Sequence, residues 1–218
     1  MFLNNEMRRR PRGRPQIRPD RETRKLLLGA AGHEFQACGY AGTSMNAVAR
    51  HAGVSTRTMY RLFPTKAELF HQVVAHYVND FMLAFAKEAA DPAGLYEALW
   101  QLLAAYGELA LSKTAVAMQR LTLAESRRFP ELAGLFHDAL RGLSDGMAAW
   151  LRRHQEKGLI ELEDIIQAAG MLRGMMAMEP QRAVMLEQQS TPDPNQIAER
   201  AKRCAELFLH GCAVPAES

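Results

Sequence analysis

The strongest constraint on the fold comes from residues 43–63, where two short helical patterns are separated by the tetrapeptide AGVS at 52–55. A hydroxyl residue begins each pattern, Thr43 the first and Ser55 the second, and both residue types cap helix N-termini well. Gly53 suits the tight turn between the helices, because a positive φ costs glycine little. This spacing predicts a helix-turn-helix whose second helix is exposed along one side.

The exposed side of the predicted second helix carries hydroxyl groups, guanidinium groups and a phenol. These groups contact phosphates and base edges in the major groove of DNA. The residues concerned are Ser55, Thr56, Arg57, Thr58, Tyr60 and Arg61. Arg57 is the first candidate for a base contact, because a guanidinium can bind guanine O6 and N7 together. A contact of Arg57 with phosphate alone is the alternative.

The run from Gly39 to Phe70, GYAGTSMNAVARHAGVSTRTMYRLFPTKAELF, resembles the DNA-binding domain of the tetracycline-repressor (TetR) family. The matching residues are Gly39, Tyr40, Thr43, Ser44, Ala52, Gly53, Val54, Ser55, Thr58, Tyr60, Phe63, Lys66 and Leu69. The segment AESRRFPELAGLF at 124–136 is similar to the C-terminal domains of AefR-like members. Glu34 departs from the family pattern, which has an apolar residue there, so Glu34 is expected to be exposed or paired.

Further DNA contacts are expected around the predicted turn. Thr43, Ser44 and Met45 at the start of the first helix are candidates, with Met45 as a secondary base contact. The resemblance implies that Tyr60 and Lys66 contact the phosphate backbone.

The charge distribution agrees with a DNA-binding N-terminal part. Residues 1–66 hold 13 Lys and Arg against 4 Asp and Glu, whereas residues 67–218 hold 14 against 20. Residues 1–19 are basic, contain three prolines and show no periodicity, so they are expected to be disordered when free. Within them RGRP resembles the core of an AT-hook, which would place Arg12 and Arg14 in the minor groove of A·T-rich DNA. The alternative is an arm that adds phosphate affinity only.

Helical patterns continue to the end of the chain, and no convincing strand appears. The patterns beyond Pro92 lie at about 93–111, 114–128, 130–157, 164–188 and 194–212, with Pro180 expected to break or kink the fourth of these. The predicted fold class is all-α, with about nine helices. The predicted organisation is a basic arm at 1–19, a helix-turn-helix domain at 20–66 and a ligand-binding and dimerisation domain at 67–213.

The TetR resemblance implies that the C-terminal domain binds a small molecule and dimerises. Candidate pocket residues are Trp100, Tyr106, Met118, Leu121, Phe136, Met147, Trp150, Met171 and Met175. Methionine side chains adapt to varied apolar ligands, although an apolar stripe at helical spacing more often belongs to a core. Candidate dimer-interface residues on the last two predicted helices are Gly170, Gly174, Ala177, Ile197, Ala201, Cys204, Ala205 and Phe208. The same apolar stripe could pack against the body of its own chain.

Other classes of protein have little support in the sequence. The histidines lack metal-ligand spacing, and no cofactor or catalytic motif occurs, so neither a metal nor a cofactor is expected. Three cysteines and the lack of a long apolar run suggest a reducing cytoplasm, with association to the nucleoid. The predicted function is a homodimeric repressor that binds a palindromic operator and is released by a small apolar effector. An activator of the same fold, an architectural protein of A·T-rich DNA, and an all-α enzyme or carrier remain alternatives.

Overall fold

The computed structural model describes residues 19–88 and 94–212, and within these ranges every element is helical, which confirms the all-α prediction. The helices are α1 (Asp20–Gly42), α2 (Met45–His51), α3 (Thr56–Leu62), α4 (Lys66–Glu88), α5 (Leu95–Ala110), α6 (Lys113–Glu125), α7 (Glu131–Glu156), α8 (Ile165–Arg173), α9 (Glu179–Met185) and α10 (Pro194–Cys212). A π-helical turn (Gly174–Met178) joins α8 to α9, so the two form the single helix predicted at 164–188. A membrane-spanning helix, long and apolar enough to cross a bilayer, is not found in the described ranges.

Helices α1, α2 and α3 form an N-terminal head whose local signals explain its geometry. Ser55 caps α3 by accepting a hydrogen bond from the Thr58 amide at 3.1 Å, as predicted. Ser44, and not Thr43, caps α2, accepting from the Ala47 amide at 3.1 Å. Gly53 has a φ of 65°, which only glycine adopts without strain, and this conformation sets the turn between α2 and α3.

Helix α4 connects the head to the rest of the molecule, here called the body. Its first half buries Leu69, Phe70 and Val73 against α1, and its length packs along α7. Met118 and Leu121 of α6 belong to the same buried cluster as these head residues. The head therefore shares one apolar core with α6 and α7, so a movement in either region is transmitted by close packing.

A second core holds the C-terminal part of the body together. Helix α10 lies along α5, and Gly107 permits the close approach, since a Cβ there would contact Met176 and stand 2.9 Å from Cγ2 of Ile197. Five of the residues predicted for a dimer interface are buried in this core: Ala177, Ile197, Ala201, Cys204 and Ala205. Phe208 packs against the same core. The dimer prediction was wrong for the five buried residues, because Ala177 packs within its own chain and α5 covers the buried stripe of α10. For Phe208, which is only partly buried, it stays a prediction.

The π-helical turn lies just before Pro180, where a kink was predicted. Proline has no N–H and its ring clashes with the carbonyl four residues earlier, which is that of Met176. Arg200 of α10 satisfies the displaced carbonyls: its Nε donates to Met176 O at 2.8 Å and its Nη2 donates to Met175 O at 2.7 Å. The turn is therefore stabilised by a side chain from the neighbouring helix.

Candidate nucleic-acid interface and ligand cavity

The outer side of α3 presents the polar residues expected to read DNA. Ser55, Thr56 and Arg57 are exposed, and Tyr60 is 48% exposed despite its aromatic ring. None of the ion pairs in the described part of the chain involves Arg57, so its guanidinium is available to a ligand. Met59 on the opposite side of α3 is fully buried, which fixes the direction in which the polar side faces.

Two of the expected DNA contacts are buried and cannot serve in this conformation. The Thr43 hydroxyl donates inward to the carbonyl oxygens of Gly39 at 2.7 Å and Glu34 at 3.0 Å, and the side chain is 3% exposed. Met45 is 8% exposed and packs in the core of the head. Their predicted contacts with DNA were wrong, because the capping role and the exposed position belong to Ser44.

The Lys66 ammonium is directed at the protein rather than at the outer surface. It donates to the carbonyl oxygens of Tyr40 at 2.7 Å and Thr43 at 3.0 Å, and approaches that of Ala41 at 3.4 Å. Burial lowers the pKa of Lys66 from its ordinary 10.5, while the nearby Glu125 carboxylate opposes that shift. Lys66 thus holds the turn between α1 and α2, a different arrangement from the predicted phosphate contact.

Glu125, at the end of α6, contacts the same turn from the body side. Its Oε1 accepts from the Tyr40 amide at 2.7 Å and its Oε2 accepts from the Ala41 amide at 3.1 Å. Gly39, with a φ of 70°, kinks α1 here, and a Cβ at this position would stand 2.8 Å from Glu125 Oε1. Sequence reasoning missed Glu125, although it lies in the segment 124–136 that carries the AefR-like resemblance.

Two pairs of polar side chains fix the outside of the head. Arg61 of α3 forms a bidentate pair with Asp20 of α1, at 2.8 Å and 2.6 Å, and this hydrogen bonding lowers the pKa of Asp20. Glu34, expected to be exposed or paired, is paired: its Oε1 lies 3.0 Å from Nδ1 of His51, within hydrogen-bonding distance. The pair between Arg61 and Asp20 restrains a guanidinium that was predicted to contact DNA.

The RGRP motif with Arg12 and Arg14 lies outside the described residues, so the minor-groove prediction stays a prediction. The first described residue is Pro19, which immediately precedes Asp20 of α1. Asp20 in turn pairs with Arg61 of α3. Pro19 therefore lies on the side of the head that carries α3.

A cavity of about 200 Å³ lies in the body, between the head-connecting helix α4 and the bent helix α8–α9. Its described lining residues are Val74, Tyr77, Val78, Tyr106, Leu109, Ala110, Ala115, Met118, Gln119, Phe136, Leu140, Leu143, Arg173 and Gln181. Its walls are therefore mainly aliphatic and aromatic, with a few polar groups, which is the usual composition of a small-molecule site. Burial raises the pKa of the Tyr106 hydroxyl from its ordinary 10.0, against a smaller opposing effect of the Arg173 charge, so this phenol remains protonated at neutral pH.

Only part of the predicted pocket lines this cavity. Tyr106, Met118 and Phe136 do, whereas Leu121 packs in the core shared with the head. Met147 and Trp150 are buried in the core of the body, and Trp100 packs against that core with Lys202 over its ring. The pocket prediction was wrong for these four residues. It was also wrong for Met171, which is exposed, and for Met175, which faces α10.

Two sequence profiles of known families match the chain. The profile described as bacterial regulatory proteins of the tetR family matches residues 27–73. The profile described as the C-terminal domain of AefR-like transcriptional repressors matches residues 97–211, more than half of the chain.

Individual relatives agree with these profiles. The HTH-type transcriptional regulator YhgD of Bacillus subtilis, itself uncharacterised, is 37% identical over 71 residues, which is 33% of this chain and 37% of that relative. A TetR-family regulator of Mesorhizobium loti, solved as a crystal structure, has a TM-score of 0.77 at 25% identity and covers 90% of this chain and 100% of its own. The flavonoid-responsive regulator FrrA has a TM-score of 0.67 at 26% identity, covering 89% of this chain and 99% of its own. The head with its exposed α3, the helical body and both profile matches lead to one conclusion: the chain belongs to the tetR family of bacterial transcriptional regulators, with a C-terminal domain of the AefR-like type.

Proposed function

We propose that this regulator binds a palindromic operator as a homodimer and is released by a small, largely apolar effector that occupies the cavity of the body. The observation that carries the proposal is the position of the cavity. Its walls include α4, which packs against α1 of the head, and α6, whose last residue holds the turn between α1 and α2.

Tyr77 provides the first route from the cavity to the head. One side of Tyr77 lines the cavity, and its hydroxyl lies 3.2 Å from the position that a Cβ would take on Gly32 of α1. An effector that displaces the Tyr77 ring must therefore push against α1 or move α4. Because the head is packed on both helices, either movement changes the orientation of α3.

Helix α6 provides the second route. Met118 lines the cavity, and Glu125 follows it by about two helical turns. A shift of α6 would move the Glu125 carboxylate away from the Tyr40 and Ala41 amides. The effector must bind the released conformation more tightly, and a difference of about 1.4 kcal/mol corresponds to a tenfold change in operator affinity.

The outer faces of α8 and α10 support a dimer, in a different arrangement from the one predicted. Large apolar side chains are left exposed there: Ile166, Met171, Met178 and Leu207 are 57–67% exposed. The space in front of Gly170 and Gly174 is open, so a partner helix can approach the backbone closely. These faces of two copies can form a four-helix bundle with two-fold symmetry, which presents two α3 helices to the half-sites of a palindrome.

Selection of bound duplexes from a random pool tests the DNA half of the proposal. We expect an inverted repeat with half-sites about one or more helical turns apart. A pool that shows no enriched sequence would contradict it. Repression is then tested with a reporter whose promoter overlaps the selected operator, and activation of that reporter would favour an activator of the same fold.

Substitutions in the cavity test the effector half. Val74→Trp and Leu140→Trp should fill the cavity and abolish effector-induced release, while operator affinity without effector stays within about threefold. Release that persists in both variants would place the effector elsewhere. Leu159→Trp, at an exposed position outside the cavity, is the matched control.

A further inference from the structure

Among the described residues that line the cavity is one cation, and its buried N–H group has no hydrogen-bond partner. Arg173, the last residue of α8, is among the residues that line it. Its Nε is buried, and no acceptor within the described part of the chain lies within hydrogen-bonding distance of it. Nor does Arg173 take part in any ion pair found among the described residues.

A buried N–H group of a guanidinium is costly to leave unpaired, because Arg remains charged at any physiological pH and the Nε–H group loses water without gaining a partner. Buried polar groups in folded proteins are nearly always satisfied, and an exception calls for a missing partner. The described lining of the cavity has no Asp or Glu to act as that partner. The charge of Arg173 is therefore available to a molecule that enters the cavity.

The neighbouring polar groups favour an anion over a neutral acceptor. The Tyr106 hydroxyl stays protonated, because burial raises its pKa, and it lines the same cavity as Arg173, so it can donate a hydrogen bond to the same ligand. The amide nitrogen of Gln181 already donates to Ala110 O at 2.9 Å. Arg173 and Tyr106 thus supply two hydrogen-bond donors to a cavity whose lining is otherwise mainly apolar, with Gln119 and Gln181 as its other polar side chains.

We propose that the effector is an amphipathic organic acid, whose carboxylate binds the Arg173 guanidinium and the Tyr106 hydroxyl and whose apolar part fills the space between Val74, Met118 and Phe136. The inference rests on the proposed function, since it takes the cavity to be the effector site. An engineered cavity of about 150 Å³ admits benzene. A cavity of about 200 Å³ therefore suits an acid with a single ring or a short chain.

Binding of 4-phenylbutanoate and octanoate to the full-length protein, compared with that of their primary amides, tests the proposal by calorimetry. At neutral pH the acids are ionised and the amides are not, while their shapes are similar. We expect the acids to bind about 10–100 times more tightly than the amides, as charge-assisted hydrogen bonds to a buried group require. Equal binding of acids and amides, or binding by neither, would overturn the proposal.

Arg173→Met removes the cation at similar volume and should remove the preference for acids, whereas Arg152→Met, at an exposed position on α7, should leave it unchanged. The melting temperature of the free protein gives a second readout. We expect Arg173→Met to hold or raise it, because a buried Nε–H group without a partner is lost. A clear decrease in the melting temperature, with acid affinity unchanged, would show that Arg173 is structural.

Release of operator DNA separates this inference from the proposed function. Acids that bind through Arg173 without releasing DNA would leave the anion site intact and contradict the effector role of the cavity. Release by neutral apolar compounds only, equally in Arg173→Met, would contradict the anion site and leave the proposed function intact.

Discussion

At the scale of single residues, the polar side chains of the head and of the start of α4 form two groups: some hold the head together, and others are free to contact DNA. Thr43 and Lys66 direct their donors at backbone carbonyls of the head. Arg57 and Tyr60 project from α3 into solvent. Residue type alone does not separate the two groups, because a hydroxyl or an ammonium satisfies a carbonyl as well as a phosphate.

Lys66→Met distinguishes these roles. The substitution removes the hydrogen bonds to the Tyr40 and Thr43 carbonyls, so we expect the free energy of unfolding in urea to fall by about 1–3 kcal/mol. The dependence of operator affinity on salt concentration should keep its slope. If Lys66 instead bound a phosphate, the substitution would reduce that slope by about one and leave the free energy of unfolding nearly unchanged.

Arg57 is expected to read a base, and two substitutions separate base from phosphate recognition. Arg57→Ala should weaken operator binding by about 1–3 kcal/mol and relax specificity at one position. Arg57→Lys keeps the charge but not the bidentate fork, so it should recover non-specific affinity without recovering specificity. Full recovery of both affinity and specificity in Arg57→Lys, measured by fluorescence anisotropy on operator and random duplexes, would assign Arg57 to a phosphate contact.

At the scale of elements, periodicity predicted most helices and their buried faces, because the inner face of a helix depends on its own spacing of apolar residues. Which helix covers each apolar face depends on the tertiary structure. The stripe with Ile197, Ala201 and Ala205 was correctly recognised as apolar, but nothing local indicates that α5 covers it. Likewise, the partners of Glu125 are backbone amides 84 and 85 residues away, which no sequence motif specifies.

The π-helical turn gives a prediction at this scale. Arg200→Gln should lower the free energy of unfolding by about 1.5–3 kcal/mol, because the Met175 and Met176 carbonyls lose a charged donor. Arg203→Gln, one turn along α10 and exposed, is the matched control and should change stability by less than about 0.5 kcal/mol. If Arg200→Gln and Arg203→Gln changed stability equally in thermal and urea unfolding, the turn would not depend on Arg200.

At the scale of the whole molecule, the head, the cavity and the outer faces of α8 and α10 are joined by continuous packing. Phe129, just beyond α6, contacts the Tyr40 ring of the head at 5.0 Å between centroids. Helix α4 lies in the core shared with the head and also packs against α5 and α7 of the body. The bent helix α8–α9 contributes Arg173 and Gln181 to the cavity and Ile166 and Met178 to the outer surface. An effector at Arg173 would therefore act on the proposed dimer contact as well as on the head.

The dimer contact can be tested without disturbing the fold, because its apolar residues are exposed in the single chain. Leu207→Glu places a charge at a side chain that is 65% exposed, so the monomer should keep its melting temperature within a few degrees. In a dimer the same carboxylate would be buried without a partner, and we expect light scattering to show a monomer at micromolar concentration. A monomer contacts only one half-site at a time. Its affinity for the operator should therefore be lower than that of the dimer by about 100-fold or more, since the two heads no longer bind as one unit. Leu123→Glu, at an equally exposed position on α6, should leave the dimer intact, and a dimeric Leu207→Glu variant would rule out this face as the interface.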